Sequence, residues 1–180
     1  MPGIESFLDR YIPDAGDTAL DVGANRGVWS AFLAERFPTV YAVEPNPALQ
    51  DALRTLHPHV QVIPNGAWSC AQRRIFTQYA HDANTSAADD WAGIMAGAPA
   101  GSFEALCMPI DDMLIEGRVD FIKLDVEAAE VEAVRGAEQI IQRDRPHLII
   151  EVHTAQGGAE VARILGEWRY RLTMGYPTHG

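Results

Sequence analysis

The sequence predicts an α/β protein built on a doubly wound, mostly parallel sheet, and three observations predict it. Five short segments are apolar, β-rich and bounded by turn residues. Helix-patterned stretches lie between them, and strand alternating with helix implies parallel strands joined by crossovers. Three of the five segments run almost unbroken in Val, Ile, Leu and aromatics, as strands covered on both faces do.

The first strand is Thr18–Val22. Gly27–Phe37 follows as a helix, with Val28, Phe32 and Leu33 at helical spacing and Pro38 ending it. Val40–Glu44 is the second strand, and Pro47–Leu56 is a helix that opens on a proline and closes before Pro58. Val60–Pro64 is the third strand. The interval to the fourth, Val119–Val126, is too long for one crossover. Within it Arg74–Tyr79 reads as an extra strand, His81–Gly101 as a polar small-residue stretch, and Phe103–Pro109 as a second extended run. Ile110–Ile115 then returns to the sheet. Residues 70–110 are therefore expected to form a hairpin-like insertion with a mobile tip. Ala129–Arg143 carries Val131, Val134 and Ile141 at helical spacing and stops ahead of Pro146. His147–His153 is the fifth strand, Gly158–Trp168 a weaker helix, and Ile4–Ile12 a further helix packed under the sheet. No internal repeat is visible, and residues 1–180 read as one domain.

Composition narrows the function. Hydrophobic residues make up 47% and charged residues 22% of the 180, an ordinary globular balance. No apolar run approaches membrane-spanning length, and the start lacks the basic-then-apolar order of a secretory signal, which predicts a cytoplasmic protein. Two cysteines, Cys70 and Cys107, make no disulfide framework and no paired zinc spacing. The net charge of −11 argues against docking on nucleic acid or anionic lipid. The acids concentrate between Glu104 and Glu132, mostly as solvated surface, but some fall at strand ends.

Those strand ends carry the chemistry. Leu20-Asp21-Val22-Gly23-Ala24-Asn25-Arg26-Gly27 runs from a strand through a glycine-containing turn into a helix, a device that lets backbone approach a ligand. The dinucleotide fingerprint fails, because its three glycine positions hold Gly23, Asn25 and Val28. Glu44 ends the second strand, where a carboxylate can accept hydrogen bonds from both ribose hydroxyls. Asn65-Gly66-Ala67-Trp68 follows the third. Its small residues leave room for a flat base, Asn65 or main-chain groups can read the base edge, and Trp68 either stacks on the ring or simply packs. Asp125 and Glu127 end the fourth strand beside the expected switch point of the sheet. A crevice rimmed by Asp21, Glu44, Asp125 and Glu127 would repel a pyrophosphate and attract a cation. S-adenosylmethionine, with a ribose, an adenine and a sulfonium but no phosphate, suits it better than NAD.

On Asp21–Gly27, Val43–Pro47, Asn65–Ser69, Asp111–Leu114 and above all Val119–Val134 with Glu151-Val152-His153, the chain resembles the FkbM family of S-adenosylmethionine-dependent methyltransferases. The resemblance spans about residues 18–153. It implies a class I methyltransferase, Rossmann-like fold with strand order 3-2-1-4-5. A short C-terminal edge strand at Tyr170–Met174 would follow, without the usual final strand. It also implies methylation of a hydroxyl on a sugar or other small metabolite. By this likeness Gly23, Asn25 and Gly27 hold the methionyl end of the cofactor, Glu44 the ribose, and Asn65 to Trp68 the adenine side. The family reads Asp-Val-Glu-Gly-Ala-Glu where this chain has Ala128. Alanine there costs about 1–2 kcal/mol if the position needs a positive φ. A truncated sheet edge would be covered by a partner, a homodimer being one such arrangement.

Methyl transfer needs a nucleophile held in line with the methyl group and a base for its proton. The candidates are Asp125 first, then Glu127 and His153. Lys123, the only lysine, lies inside an apolar strand on the face of Phe121 and Asp125, which predicts an ion pair with a neighbouring carboxylate. Asp125, Glu127 and Glu130 with His153 could supply oxygen and nitrogen ligands to a metal, but their spacing matches no trusted metal motif, and no metal is expected. The competing functions are an NAD-dependent oxidoreductase on a similar sheet and a methyltransferase-like cofactor-binding protein without catalysis.

Overall fold

A computed structural model describes residues 11–14, 16–79, 85–86 and 99–173. Five parallel strands form the main sheet: β1 (Thr18–Val22), β2 (Thr39–Val43), β3 (Val60–Ile63), β8 (Phe121–Leu124) and β9 (His147–Ile150), in the order β3-β2-β1-β8-β9. This is the expected 3-2-1-4-5 arrangement. The chain order reverses between β1 and β8, so their carboxyl ends diverge and leave a crevice.

Period-two alternation divides the sheet's side chains between two layers. Leu20, Val22, Tyr41, Val43, Ile122 and Leu124 pack against α3 (Glu130–Arg135), α4 (Glu138–Asp144) and α5 (Ala155–Glu167). Ala19, Val40, Ala42 and Phe121 face Leu33 and Ala34 of α1 (Val28–Ala34) and Leu53 of α2 (Pro47–Arg54), joined by Phe37 and Ile12. Every residue of β1 and β8 is buried, which explains their largely apolar character, broken by Thr18 and Asp21 in β1 and by Lys123 in β8. Each fully buried Leu, Ile or Phe contributes about 1.5–3 kcal/mol.

The insertion forms a second sheet. β5 (Gln72–Tyr79) pairs antiparallel with β7 (Pro99–Met108), β4 (Gly66–Ala67) runs parallel to β7, and β6 (Thr85–Ser86) edges β5. The rings of Phe76 and Phe103 stack at 5.2 Å across the hairpin. A turn at Ile110–Asp112 leads back to the sheet. Most of the expected mobile tip lies outside the described residues, as does the N-terminal helix except for Tyr11 and Ile12.

Several boundaries differ from expectation. The 129–143 helix is two helices, broken at Gly136–Ala137. A Cβ on Gly136 would stand 2.1 Å from the Trp68 carbonyl oxygen, and its own carbonyl accepts from the Asp111 amide at 2.9 Å. The Asp111 carboxylate then accepts from the amides of Gln139 and Ile140 at 2.8 and 2.9 Å, capping α4 from a remote segment. The last helix starts earlier than expected because the Thr154 hydroxyl caps the Gly157 amide at 2.9 Å. Tyr170–Thr173 form no strand, contrary to the expected edge strand; Met174 lies outside the described residues. Arg169 is left-handed (φ 61°), and the Tyr170 amide bonds back to the Leu165 carbonyl at 2.9 Å. The Tyr170 hydroxyl donates to the Ile141 and Pro146 carbonyls, so this turn seals the end of α5 rather than extending the sheet. Among the described residues no helix is long and apolar enough to cross a membrane.

Candidate functional site

The turn after β1 is fixed by backbone. The amides of Gly23 and Ala24 donate to the Val43 carbonyl at 3.0 and 3.1 Å, and the Asp125 amide donates to Val22 at 3.0 Å. Gly23 has φ +78°, and a Cβ there would lie 1.8 Å from the Asp125 carbonyl oxygen. Gly27 has φ +80° and would drive a Cβ into Leu53 and Leu56. Asn25 is left-handed too, at φ 49°. Both motif glycines are therefore required by chain packing before any ligand is considered.

Glu44 locks this turn to the second strand. Its Oε2 accepts from the Asn25 amide at 2.8 Å and its Oε1 from the Asn46 amide at 2.7 Å. Burial pushes its pKa up, against the pull of those two amides. Asp21 was expected on the rim, but it lies beneath the crevice, 0% exposed. The strand pleat turns it toward α1, where its Oδ2 accepts from the Ser30 hydroxyl at 2.6 Å and its Oδ1 faces Lys123 Nζ at 3.4 Å. Lys123 also reaches Asp125 Oδ2 at 3.4 Å and donates to the Gly23 carbonyl at 3.1 Å. Burial disfavours its charge, but Asp21 and Asp125 outweigh this and raise its pKa. The expected ion pair is thus a clamp between two carboxylates.

β8 ends at Leu124 and β9 at Ile150, earlier than expected, so Asp125, Glu127 and His153 stand on the loops beyond. They nevertheless converge. His153 Nε2 lies 3.3 Å from Glu127 Oε2 and 3.6 Å from Asp125 Oδ1. Its Nδ1 is 2.7 Å from Glu130 Oε1, and Glu130 is 1% exposed. Burial opposes charge on His153, yet the Glu130 hydrogen bond and the three surrounding carboxylates push its pKa up to about 9. Burial, reinforced by Asp125 and Glu151 and opposed by His153, pushes Glu127 up to about 7.

Glu127 and Ala128 are consecutive left-handed residues, with φ 52° and 72°. Two such residues in succession are the source of the sharp turn that carries Glu127 toward His153. Ala128→Gly is expected to stabilise the fold by about 1 kcal/mol by relieving Cβ strain. A rise in the urea midpoint at unchanged slope checks it.

A cleft of about 360 Å³ opens at this end of the sheet, lined by the turn from Gly23 to Arg26, by Val28 and Trp29 of α1, and by Lys123 and Asp125. Of the expected cofactor residues, Gly23 and Asn25 line it. Glu44 is buried behind this lining and holds the Asn25 amide, and Gly27 shapes the turn. Asn65, Ala67 and Trp68 stand apart: the Asn65 side-chain Nδ2 donates to the Leu106 carbonyl at 3.2 Å, and Ala67 is core. The Arg74 guanidinium lies 4.0 Å over the Trp68 ring. Arg26 and Trp29 were missed from sequence, while Glu130 was named there only as a possible metal ligand. Arg26 and Trp29 carried no signal beyond adjacency to the glycine turn.

Comparison with known proteins agrees with this architecture. Residues 21–172 match the methyltransferase FkbM domain. A solved methyltransferase FkbM from Methylobacillus flagellatus KT superposes with a TM-score of 0.62 at 21% identity, covering 86% of this chain and 37% of that one. An rRNA methylase from Streptococcus thermophilus gives 0.50 at 16% identity, covering 90% and 76%. These likenesses establish the class I methyltransferase, Rossmann-like fold. The AMB antimetabolite synthetase AmbE of Pseudomonas aeruginosa PAO1 is 25% identical over 191 residues, 84% of this chain but 9% of that protein. The chain therefore spans a small part of the synthetase and just over a third of the Methylobacillus protein.

Proposed function

Because the chain belongs to the FkbM methyltransferase family, we propose that it binds S-adenosylmethionine and methylates a hydroxyl oxygen of a small molecule. One observation carries this: the Gly23–Gly27 turn, tied to Glu44 on one side and Asp125 on the other, opens into a cleft with Asp125 in its wall. The bound cofactor supplies an electrophilic methyl group on a cationic sulfur. The residues fit such a molecule. Each Glu44 oxygen accepts one amide and keeps a lone pair for a ribose hydroxyl. Arg26 at the cleft offers a cation to the methionyl carboxylate, and Asp125 offers a negative charge to the sulfonium.

Asp125 is placed to orient the acceptor hydroxyl and receive its proton as the C–O bond forms and the C–S bond breaks. His153, with its pKa raised to about 9, holds a proton at neutral pH and serves as a fixed cation beside Glu127 and Asp125 rather than as the base. The net charge of −11 favours a small acceptor over a nucleic acid.

Equilibrium titration with S-adenosylhomocysteine against NADH tests the cofactor assignment, and tighter NADH binding overturns it. Glu44→Gln is expected to weaken S-adenosylhomocysteine binding by about 1–3 kcal/mol, since charge-assisted bonds to the ribose are lost and an amide group faces two N–H donors. Unchanged affinity in calorimetry removes Glu44 from the site. Methyl transfer by the unaltered chain to any of a panel of hydroxylated acceptors excludes a binding-only role.

A further inference from the structure

We infer that Asp125, Glu127 and His153 form a binding site for one first-row divalent cation, with Glu130 as the outer partner that holds the histidine. The three ligand residues come from the loops just beyond the carboxyl ends of two neighbouring parallel strands, β8 and β9. One ligand atom from each lies within 4.8 Å of the others. Ligands about 2.0–2.2 Å from a common ion sit roughly 3 Å apart when cis. The Nε2–Oε2 and Nε2–Oδ1 separations of 3.3 and 3.6 Å need only a few tenths of an ångström of contraction.

The histidine carries the argument further than the carboxylates do. Its Nδ1 is engaged by the buried Glu130 carboxylate at 2.7 Å, which leaves Nε2 as the ligating nitrogen and fixes the ring plane. A carboxylate–histidine–metal relay has this form. Glu130 Oε1 is itself held by the Ala128 amide at 2.8 Å, so the support is rigid. Asp125 Oδ1, the oxygen on the His153 side, is buried and has no hydrogen-bond donor, while Oδ2 belongs to Lys123. A cation supplies what that oxygen lacks. Two carboxylates and one imidazole suit Mn²⁺, Fe²⁺ or Zn²⁺, whereas Ca²⁺ requires more oxygen ligands than the three residues provide. On entry the cation displaces a proton from Nε2 to solvent.

Asp125 is the ligand that also lines the cleft, so the ion would sit beside the cleft wall. From there it would be within reach of an acceptor oxygen brought to Asp125 and would ease its deprotonation. That part rests on the methyltransferase reading; cation binding does not. With the ion bound, Asp125 acts on the acceptor through it; without it, Asp125 acts directly as base.

The test titrates chelator-treated protein with Mn²⁺ alone at fixed pH, by calorimetry and electron paramagnetic resonance. One equivalent per chain is expected, with hyperfine coupling from an imidazole nitrogen, and at least about tenfold weaker binding in His153→Ala and Glu127→Gln. Absence of stoichiometric binding, or of nitrogen coupling in the unaltered protein, overturns the site even if a variant fails to fold. S-adenosylhomocysteine is titrated into the same metal-free protein. Cofactor binding without Mn²⁺ binding sinks the cation site and leaves the methyltransferase assignment standing; the reverse result does the opposite.

Discussion

Asp125→Asn is expected to slow methyl transfer by about 10²–10⁴-fold while leaving S-adenosylhomocysteine affinity within a few-fold of the unaltered protein. The substitution keeps the size of the side chain and its place beside Lys123, but removes the charge and the basic oxygen. S-adenosylhomocysteine carries a neutral thioether, so its binding is indifferent to a carboxylate in the wall of the cleft. S-adenosylmethionine carries a sulfonium and should lose more affinity than its product does. That split separates a group facing the reacting centre from one that merely holds the turn in shape. A damaged turn would weaken both ligands alike, because Gly23 and Asp125 share a backbone contact. Single-turnover transfer of a radiolabelled methyl group measures the rate. Full activity in the variant would remove Asp125 from the chemistry, whether as base or as cation ligand.

The sheet was legible because its signal is local. A strand covered on both faces is mostly apolar, and Thr18–Val22 and Phe121–Leu124 show this, each interrupted by a single charged residue, Asp21 and Lys123. The convergence of Asp125, Glu127 and His153 was legible for a related reason, since parallel neighbours bring their carboxyl ends to one edge. What escaped was decided by contacts between distant segments. The break at Gly136 exists because the Trp68 carbonyl and Pro109 press against that backbone, and the 129–143 pattern carries no trace of them. Asp21 looked like a rim residue because strand-end acids usually are. Its burial depends on Lys123 and Ser30 meeting it from another strand and a helix. Glu130 stood beside Asp125, Glu127 and His153 as a possible ligand, and the fold shows it 1% exposed under His153, bonded to the ring rather than to open space.

Lys123→Met is expected to cost about 3–5 kcal/mol of folding stability, the penalty for stripping a buried charge of its partner. Methionine preserves much of the stem's packing, so the loss isolates the ammonium. The two carboxylates it serves are not equivalent. Asp125 is 26% exposed at its side chain and can turn to water, whereas Asp21 is 0% exposed and keeps only the Ser30 hydroxyl. Asp21 therefore dominates the cost. Asp21→Asn in the Lys123→Met background should recover a large part of it, because a neutral amide replaces an uncompensated carboxylate. Urea unfolding of the two single variants and the double variant closes the cycle. A Lys123→Met protein within about 1 kcal/mol of the original, or a double variant no better than the single, would mean that the clamp is not what holds the glycine turn against β8. A third effect is tied to the same atom. Lys123 Nζ also donates to the Gly23 carbonyl, so the variant should lose cofactor affinity as well as stability, even where enough folded protein remains to titrate.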